Sequence, residues 1–401
     1  MTQVEGERVD DTGAPVSLRE IAREWGRIGI TGFGGPPAHI ALLRRLCVEQ
    51  RSWIAASEFE DAIAACNLLP GPASTQLAIW CGWRLRARRG AVLAGVCFIA
   101  PGLVVILALA ALFLAAHPPT WVLGAAAGAG AAVPAVAVHA AWGLTPASWK
   151  RMRKPAQAGA GDGFARTRWI GYALVGGTAA ATIGPWLVLV LLGCGLVEIT
   201  VRRALPADKA RAALPLAVPS TIATGGLGAL AWTALKVGAL SYGGGFVIIP
   251  LMQHDAVTAY HWMTGPQFLD AVALGQVTPG PVVQTVAVVG YAAGGIGGGL
   301  LAAALAFAPS FAFVLLGARH FDHLRRNRTI QAFLTGAGPA VIGAIAGSAI
   351  PLARALPHDW QYLLLIAAAV WLLALRRGIV SALLLAAGCG IIAALAGAAV
   401  H

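Results

Sequence analysis

No lysine, arginine, aspartate or glutamate occurs from Gly90 to Trp149, and none occurs from Ala271 to Ala318. A bilayer is crossed by ~20 consecutive apolar residues, so each stretch can cross more than once. Backbone polar groups inside hydrocarbon must be satisfied within the segment, which leaves helices as the workable form for a chain without alternating polarity. The whole composition agrees, with 58% hydrophobic and 11% charged residues, where a soluble domain needs roughly 25% charged to cover itself. The fold class expected is an all-α polytopic membrane protein. That excludes a soluble enzyme, a secreted disulfide scaffold and a nucleic-acid binder. A net charge of +12 would suggest nucleic acid in a soluble chain, but here the basic residues sit in short loops between apolar spans, the positive-inside pattern. The six cysteines are dispersed, with no CxxC and no Cys/His cluster, so neither a disulfide nor a metal is expected. The first residues, MTQVEGERVDDTGAPVS, lack the basic region and apolar core of a secretory signal.

Spans are expected at Ala91–Ala116, Trp121–Leu144, Trp169–Ile183, Pro185–Thr200, Ile296–Ala318, Ile330–Leu352, Gln361–Leu375 and Gly378–Val400. Basic loops lie at Arg84–Arg89, Lys150–Arg168, Arg202–Arg211, Arg319–Arg328 and Arg376–Arg377. Placing all five in the cytoplasm pairs the spans between them as hairpins, with the N-terminus inside and the C-terminus outside. The Lys150–Arg168 loop reads as a flexible cytoplasmic connection whose charge also attracts anionic lipid.

The chain repeats itself. An offset of 209 sets Arg27 against Lys236, Phe33-Gly34-Gly35 against Tyr242-Gly243-Gly244, Trp53 against Trp262, Asp61 against Asp270 and Pro70-Gly71-Pro72 against Pro279-Gly280-Pro281. One residue of slip then aligns Ala100-Pro101 with Ala308-Pro309. The organisation expected is a polar tail over 1–17, a first repeat over 18–205, a linker over 206–225 and a second repeat over 226–401. Four arginines follow the first Pro-Gly-Pro segment, whereas Ala292–Gly299 carries no charge. The two halves are therefore expected to be inverted in the membrane, with one extra crossing within Ala212–Leu235.

Chemistry is expected where the helices break. Ser57 with Glu60, and Thr264 with Gln267, form capping-box patterns, so a helix should begin near each pair. Pro70 then lies ~20 Å further along, close to the midplane of a hydrocarbon layer of about 30 Å. Proline at the start of a helix leaves the following amides free. The amides of Ala73–Thr75 and Val282–Gln284 are thus expected to face the break at the positive helix end, a ready anion site. Ser74, Thr75 and Gln76 in one half, with Gln276, Thr278, Gln284 and Thr285 in the other and Asn67 beside them, add neutral donors. The Gly32–Pro37 segment and its repeat Ser241–Gly245 read as unwound segments facing these turns, through Gly34, Gly35, Tyr242, Gly243 and Gly244. Arg27 and Lys236 are candidate cationic partners for a dianion, and the competing reading is that both snorkel to the interface. The carboxylates Asp61, Asp270, Glu58 and Asp255 are candidates for proton coupling, with a helix-dipole role as the alternative.

The segments FGGPPAHIALL, CNLLPGPASTQLAIWCGW and FIAPG, with SYGGGFVIIPLMQHDAV, QFLDAVALGQVTPGPVV and GYAAGG, resemble the chromate ion transporter family over nearly the whole chain. Asn67 stands where many members carry glutamine, and Leu46 where many carry an acidic residue. The resemblance implies an inner-membrane secondary exporter of chromate, driven by the proton gradient as an antiporter and conferring chromate resistance. Its implied partners are chromate or a related oxyanion, the lipid bilayer and a second copy of the chain in a homodimer; no cofactor is implied. Sulfate or another tetrahedral oxyanion is the nearest alternative, since charge and shape are shared. A membrane-embedded enzyme is the alternative from another class, and no catalytic constellation at membrane depth supports it.

Overall fold

The computed structural model describes residues 16–67, 69, 71–153, 162–182, 187–204, 226–241, 248–317 and 327–399. Among these there are fourteen α-helices and no strand. The first half runs α1 (Leu18–Thr31), α2 (Pro36–Arg44), α3 (Ala56–Cys66), α4 (Ala73–Phe113), α5 (Thr120–Arg153), α6 (Asp162–Thr182) and α7 (Leu187–Ala204). The second runs α8 (Leu227–Leu240), α9 (Ile248–Gln253), α10 (Gly265–Val277), α11 (Thr285–Gly317), α12 (Arg328–Arg354), α13 (Asp359–Ala369) and α14 (Ile379–Leu395). Helix α4, α5 and α12, and α11 with the 3₁₀ turn before it, are each long and apolar enough to cross a membrane. Val104, Trp142, Leu316, Leu363 and Ile392 point out of the bundle, where lipid takes the place of water as their solvent. The protein is an all-α polytopic membrane protein.

Local irregularities recur in both halves. The chain leaves α2 through a π-helical turn at Arg45–Gln50 and leaves α9 through another at His254–Ala259. Arg86 and Ala87 break α4, and Gly294 and Gly295 break α11. The basic stretch Arg84–Arg89, expected as a loop, is thus a two-residue break inside an otherwise continuous helix. The Ser57/Glu60 capping box does not form, because Ala55 is the N-cap of α3 and Glu60 is drawn to Arg44 on the neighbouring helix. At the equivalent position Thr264 forms its box with Gln267, through bonds of 2.9 and 3.3 Å. The crossing expected within Ala212–Leu235 lies outside the described residues up to 225, and α8 begins at Leu227.

Packing interleaves the halves. Helix α1 lies on α4 and α8 lies on α11, while α4 and α11 face each other. Helix α5 then packs against α13 and α14, and α12 against α6 and α7. Glycine permits both exchanges, since a Cβ on Gly343 would run into the backbone of Ala173 and one on Gly390 into that of Gly124. Close backbone approach of this kind is how helices associate where lipid removes the hydrophobic driving force. Between α6 and α7 the buried Glu198 accepts from Arg168 (3.1 Å), Arg202 (2.7 Å) and Tyr172 (3.1 Å).

Candidate functional site

Both Pro-Gly-Pro segments separate a short helix from a long one. Helix α3 ends at Cys66 with Asn67 as its C-cap and α4 starts after Pro72; α10 ends at Val277 with Thr278 as C-cap, and a 3₁₀ turn (Val282–Gln284) leads into α11. The glycines make the reversals, with φ of +118° at Gly71 and +102° at Gly280, a region that penalises any Cβ. The free amides are fewer than the sequence suggested. Thr75 N–H donates to Pro72 O (3.0 Å) and Gln284 N–H to Pro281 O (2.9 Å), because the first turn of each helix tightens. The Ala73, Ser74, Val282 and Val283 amides are the remaining N-terminal donors.

Each turn is completed by the opposite half. The Gly280 N–H donates to Gly32 O at 3.0 Å, which joins the second Pro-Gly-Pro turn to the first glycine segment. A Cβ on Gly35, where φ is +73°, would lie 3.8 Å from Val282. The second turn also presses on α4, where a Cβ on Gly102 would collide with Pro279 O and lie 2.6 Å from Gln284 Oε1. Gln284 Nε2 donates to Ile99 O at 2.8 Å. The first turn meets α11 in the same way, since a Cβ on Gly71 would lie 2.5 Å from Gln76 Nε2 and 3.1 Å from Ser310 Oγ. Ser310 follows Pro309 as Gly102 follows Pro101.

Polar atoms without partners collect here. Ser74, Thr75, Gln76, Gln276, Thr278, Gln284, Thr285 and Ser310 are all buried. Among them Thr75 Oγ1, Gln276 Nε2, Gln284 Oε1 and Ser310 Oγ have no hydrogen-bond partner. Each such group costs ~1–3 kcal/mol if nothing pairs with it, so a polar occupant would be favoured. Thr278 and Thr285 are less available, because each donates at 2.8 Å to a carbonyl of its own segment, Leu274 O and Val282 O. Asn67 is exposed. Pro70, Tyr242, Gly243 and Gly244 lie outside the described residues.

The structure adds His39, which the sequence reading missed. Its ring is fully buried, 2.9 Å from Gly32 O through Nε2 and 3.3 Å from Ser74 Oγ through Nδ1, with Phe98 edge-on at 5.0 Å. A titratable side chain just after Gly34-Gly35-Pro36-Pro37, in a run otherwise apolar up to Arg44, was the signal available.

The two cations are held elsewhere. Arg27 pairs with Glu24 at 2.7 Å and is 59% exposed, and Lys236 pairs with Asp255 at 2.5 Å, where Thr233 also donates at 2.9 Å. Each cation thus has a carboxylate partner. Of the carboxylates, Glu58 pairs with Arg84, Asp255 with Lys236, and Asp61 is exposed. Asp270 differs from its repeat-equivalent, being buried against Gly130 with Oδ2 lacking a hydrogen-bond partner. It lies beside Ala127, Leu269, Leu356 and Gln361. No group of three metal-ligating side chains occurs among the described residues.

The profile described as chromate transporter matches residues 19–199 and 228–394. A chromate transport protein of Cupriavidus metallidurans is 33% identical over 355 residues, covering 86% of this chain and 84% of that protein. A probable chromate transport protein of Synechococcus elongatus is 30% identical over 356 residues (86% and 86%), and a chromate transport protein of Pseudomonas aeruginosa 32% over 359 residues (85% and 82%). No solved structure matches the chain.

Proposed function

The chain belongs to the chromate transporter family, and from that premise we propose that it exports chromate across the cell membrane as a secondary transporter, not as an enzyme. The observation that carries the site assignment is the convergence of both Pro-Gly-Pro turns on the opposite half, with four partnerless buried polar atoms around them. Half-helix N-termini with hydroxyl and amide donors suit a tetrahedral oxyanion. In the proposed site the free amides, Ser74, Thr75, Gln276 and Ser310 contact the anion, and the fixed cations stay with their carboxylate partners. The halves are inverted relative to each other, a reading supported by the arginines at the first long-helix break and the glycines at the second. A site at the junction of inverted repeats near the midplane can be exposed to either side by rocking one half on the other. Coupling is to protons, with Asp270 as the carboxyl that exchanges them. The test is flux of chromate and of sulfate into liposomes holding the purified protein, with and without an imposed pH gradient. Saturable chromate flux that responds to the gradient is expected, and flux equal to that of empty liposomes would remove the proposal.

A further inference from the structure

His39 joins three parts of the candidate site through one ring. Its Nε2 meets Gly32 O, the same carbonyl that receives the Gly280 N–H, and its Nδ1 meets Ser74 Oγ beside the first Pro-Gly-Pro turn. A carbonyl only accepts, so Nε2 must carry a hydrogen for that bond to exist. In the neutral ring Nδ1 is then a bare acceptor, and Ser74 can bond to it only by pointing its hydroxyl hydrogen at the ring. That hydrogen is lost to any anion in the turn. When Nδ1 takes a proton from solution, the direction reverses: the ring donates to Ser74 Oγ and the hydroxyl hydrogen is released towards the turn, where the Thr75 hydroxyl already lacks a partner.

We propose that His39 is a proton-operated positioning residue, which turns the Ser74 hydroxyl onto the oxyanion when protonated, so that one proton and one oxyanion bind together. The idea rests on the oxyanion site proposed above. Nothing charged competes for control of the ring. Its neighbours are Gly32 at the C-cap of α1, Ser74 and Phe98 on α4 and, through the shared carbonyl, Gly280; no charged side chain among the described residues bears on it. Ile248 occupies the repeat-equivalent position, so the molecule carries one such device. A proton that binds with the oxyanion also leaves with it, so this linkage sets affinity at the binding step and does not supply the drive, which stays with proton exchange at Asp270.

The test is chromate affinity of the purified full-length protein by titration calorimetry between about pH 8 and about pH 5, the span over which a histidine changes charge. Wild type, His39→Gln, Ser74→Ala and Gly280→Ala are compared. Chromate's own protonation cancels in the ratio of wild type to variant. Glutamine offers an amide N–H for Gly32 O but cannot titrate, so wild-type affinity should gain on His39→Gln as the pH falls, by several-fold in all and never more steeply than about tenfold per pH unit, the limit for one linked proton. Ser74→Ala should bind like wild type at the alkaline end and several-fold, roughly the worth of one hydrogen bond, more weakly at the acid end. A merely structural serine would cost the same at both ends. Parallel pH profiles for wild type and His39→Gln, or an equal Ser74→Ala deficit at both ends, overturns the proposal. If His39→Gln fails to fold, the Ser74→Ala split decides alone. Gly280→Ala separates the two levels: weak binding at every pH retains the oxyanion site, and wild-type binding removes the site itself.

Discussion

Alanine at Gly280 is the substitution whose consequences the structure defines most closely. The residue sits at φ +102°, where a Cβ costs roughly 1–2 kcal/mol. That Cβ would lie 3.0 Å from Gln284 Oε1 and 3.2 Å from Nε2, so the amide side chain has to give way. Gln284 Nε2 is the donor to Ile99 O, and losing that bond removes a further ~0.5–1.5 kcal/mol. Gly295 provides the comparison, with φ at +62° and nothing within 4 Å of an added Cβ. Gly295→Ala therefore carries the backbone cost without a displaced neighbour. Both variants should melt below wild type in detergent, Gly280→Ala by the larger amount. Chromate affinity should fall about tenfold in Gly280→Ala, since ~1.4 kcal/mol corresponds to tenfold, and stay within about twofold in Gly295→Ala. Calorimetric titration of the purified variants, with melting curves alongside, reads both quantities. Equal affinity losses in the two, or none at Gly280, would refute the reasoning and leave the turn as a kink that serves packing.

Lys236→Gln leaves the buried Asp255 carboxylate with Thr233 alone, and breaking such a pair should destabilise the protein by ~3 kcal/mol or more. Adding Asp255→Asn should restore most of the melting temperature, because it removes the uncompensated buried charge. Asp270→Asn should fold, because Oδ2 has no hydrogen-bond partner to lose, and should abolish the response of chromate flux to a pH gradient while leaving chromate exchange intact. A retained response would exclude this carboxyl from coupling. Glu198→Gln removes the charge that compensates Arg168 and Arg202, and its melting curve should report a loss of about 3–5 kcal/mol; an unchanged curve would mean that the cluster is solvated.

Helix content, four of the eight expected spans and the two broken turns were legible because they rest on local chemistry: charge-free length, proline, and glycine at positive φ. The start of α3 near Ser57 was legible, but its capping box was misread for an equally local reason. Ser57 has a good capping pattern, but Glu60 finds Arg44 on another helix, and a partner distant in sequence cannot be seen from the pattern. The same limit applied to the cations. Arg27 and Lys236 align in sequence, yet one pairs within its own helix and the other with the π-helical turn after α9, since Asp255 stands where the first half has Leu46. The free amides were overcounted because a tight first turn consumes the third donor of each helix. Least legible was the exchange between halves: a repeat in sequence does not say that Gly280 hydrogen-bonds to Gly32 or that Gly71 approaches Ser310. His39 was not legible from the repeat because Ile248, not a histidine, stands at its equivalent position.

The central claim, one oxyanion site built from both Pro-Gly-Pro turns, is tested most directly by locating bound chromium. Crystals or crystalline membranes of the protein grown with chromate would give an anomalous scattering peak from the metal of the anion itself. The account predicts that peak between the two turns, within reach of Ser74, Thr75, Gln276 and Ser310. A peak at the basic loops or beside Lys236 and Asp255, with none at the turns, would contradict it.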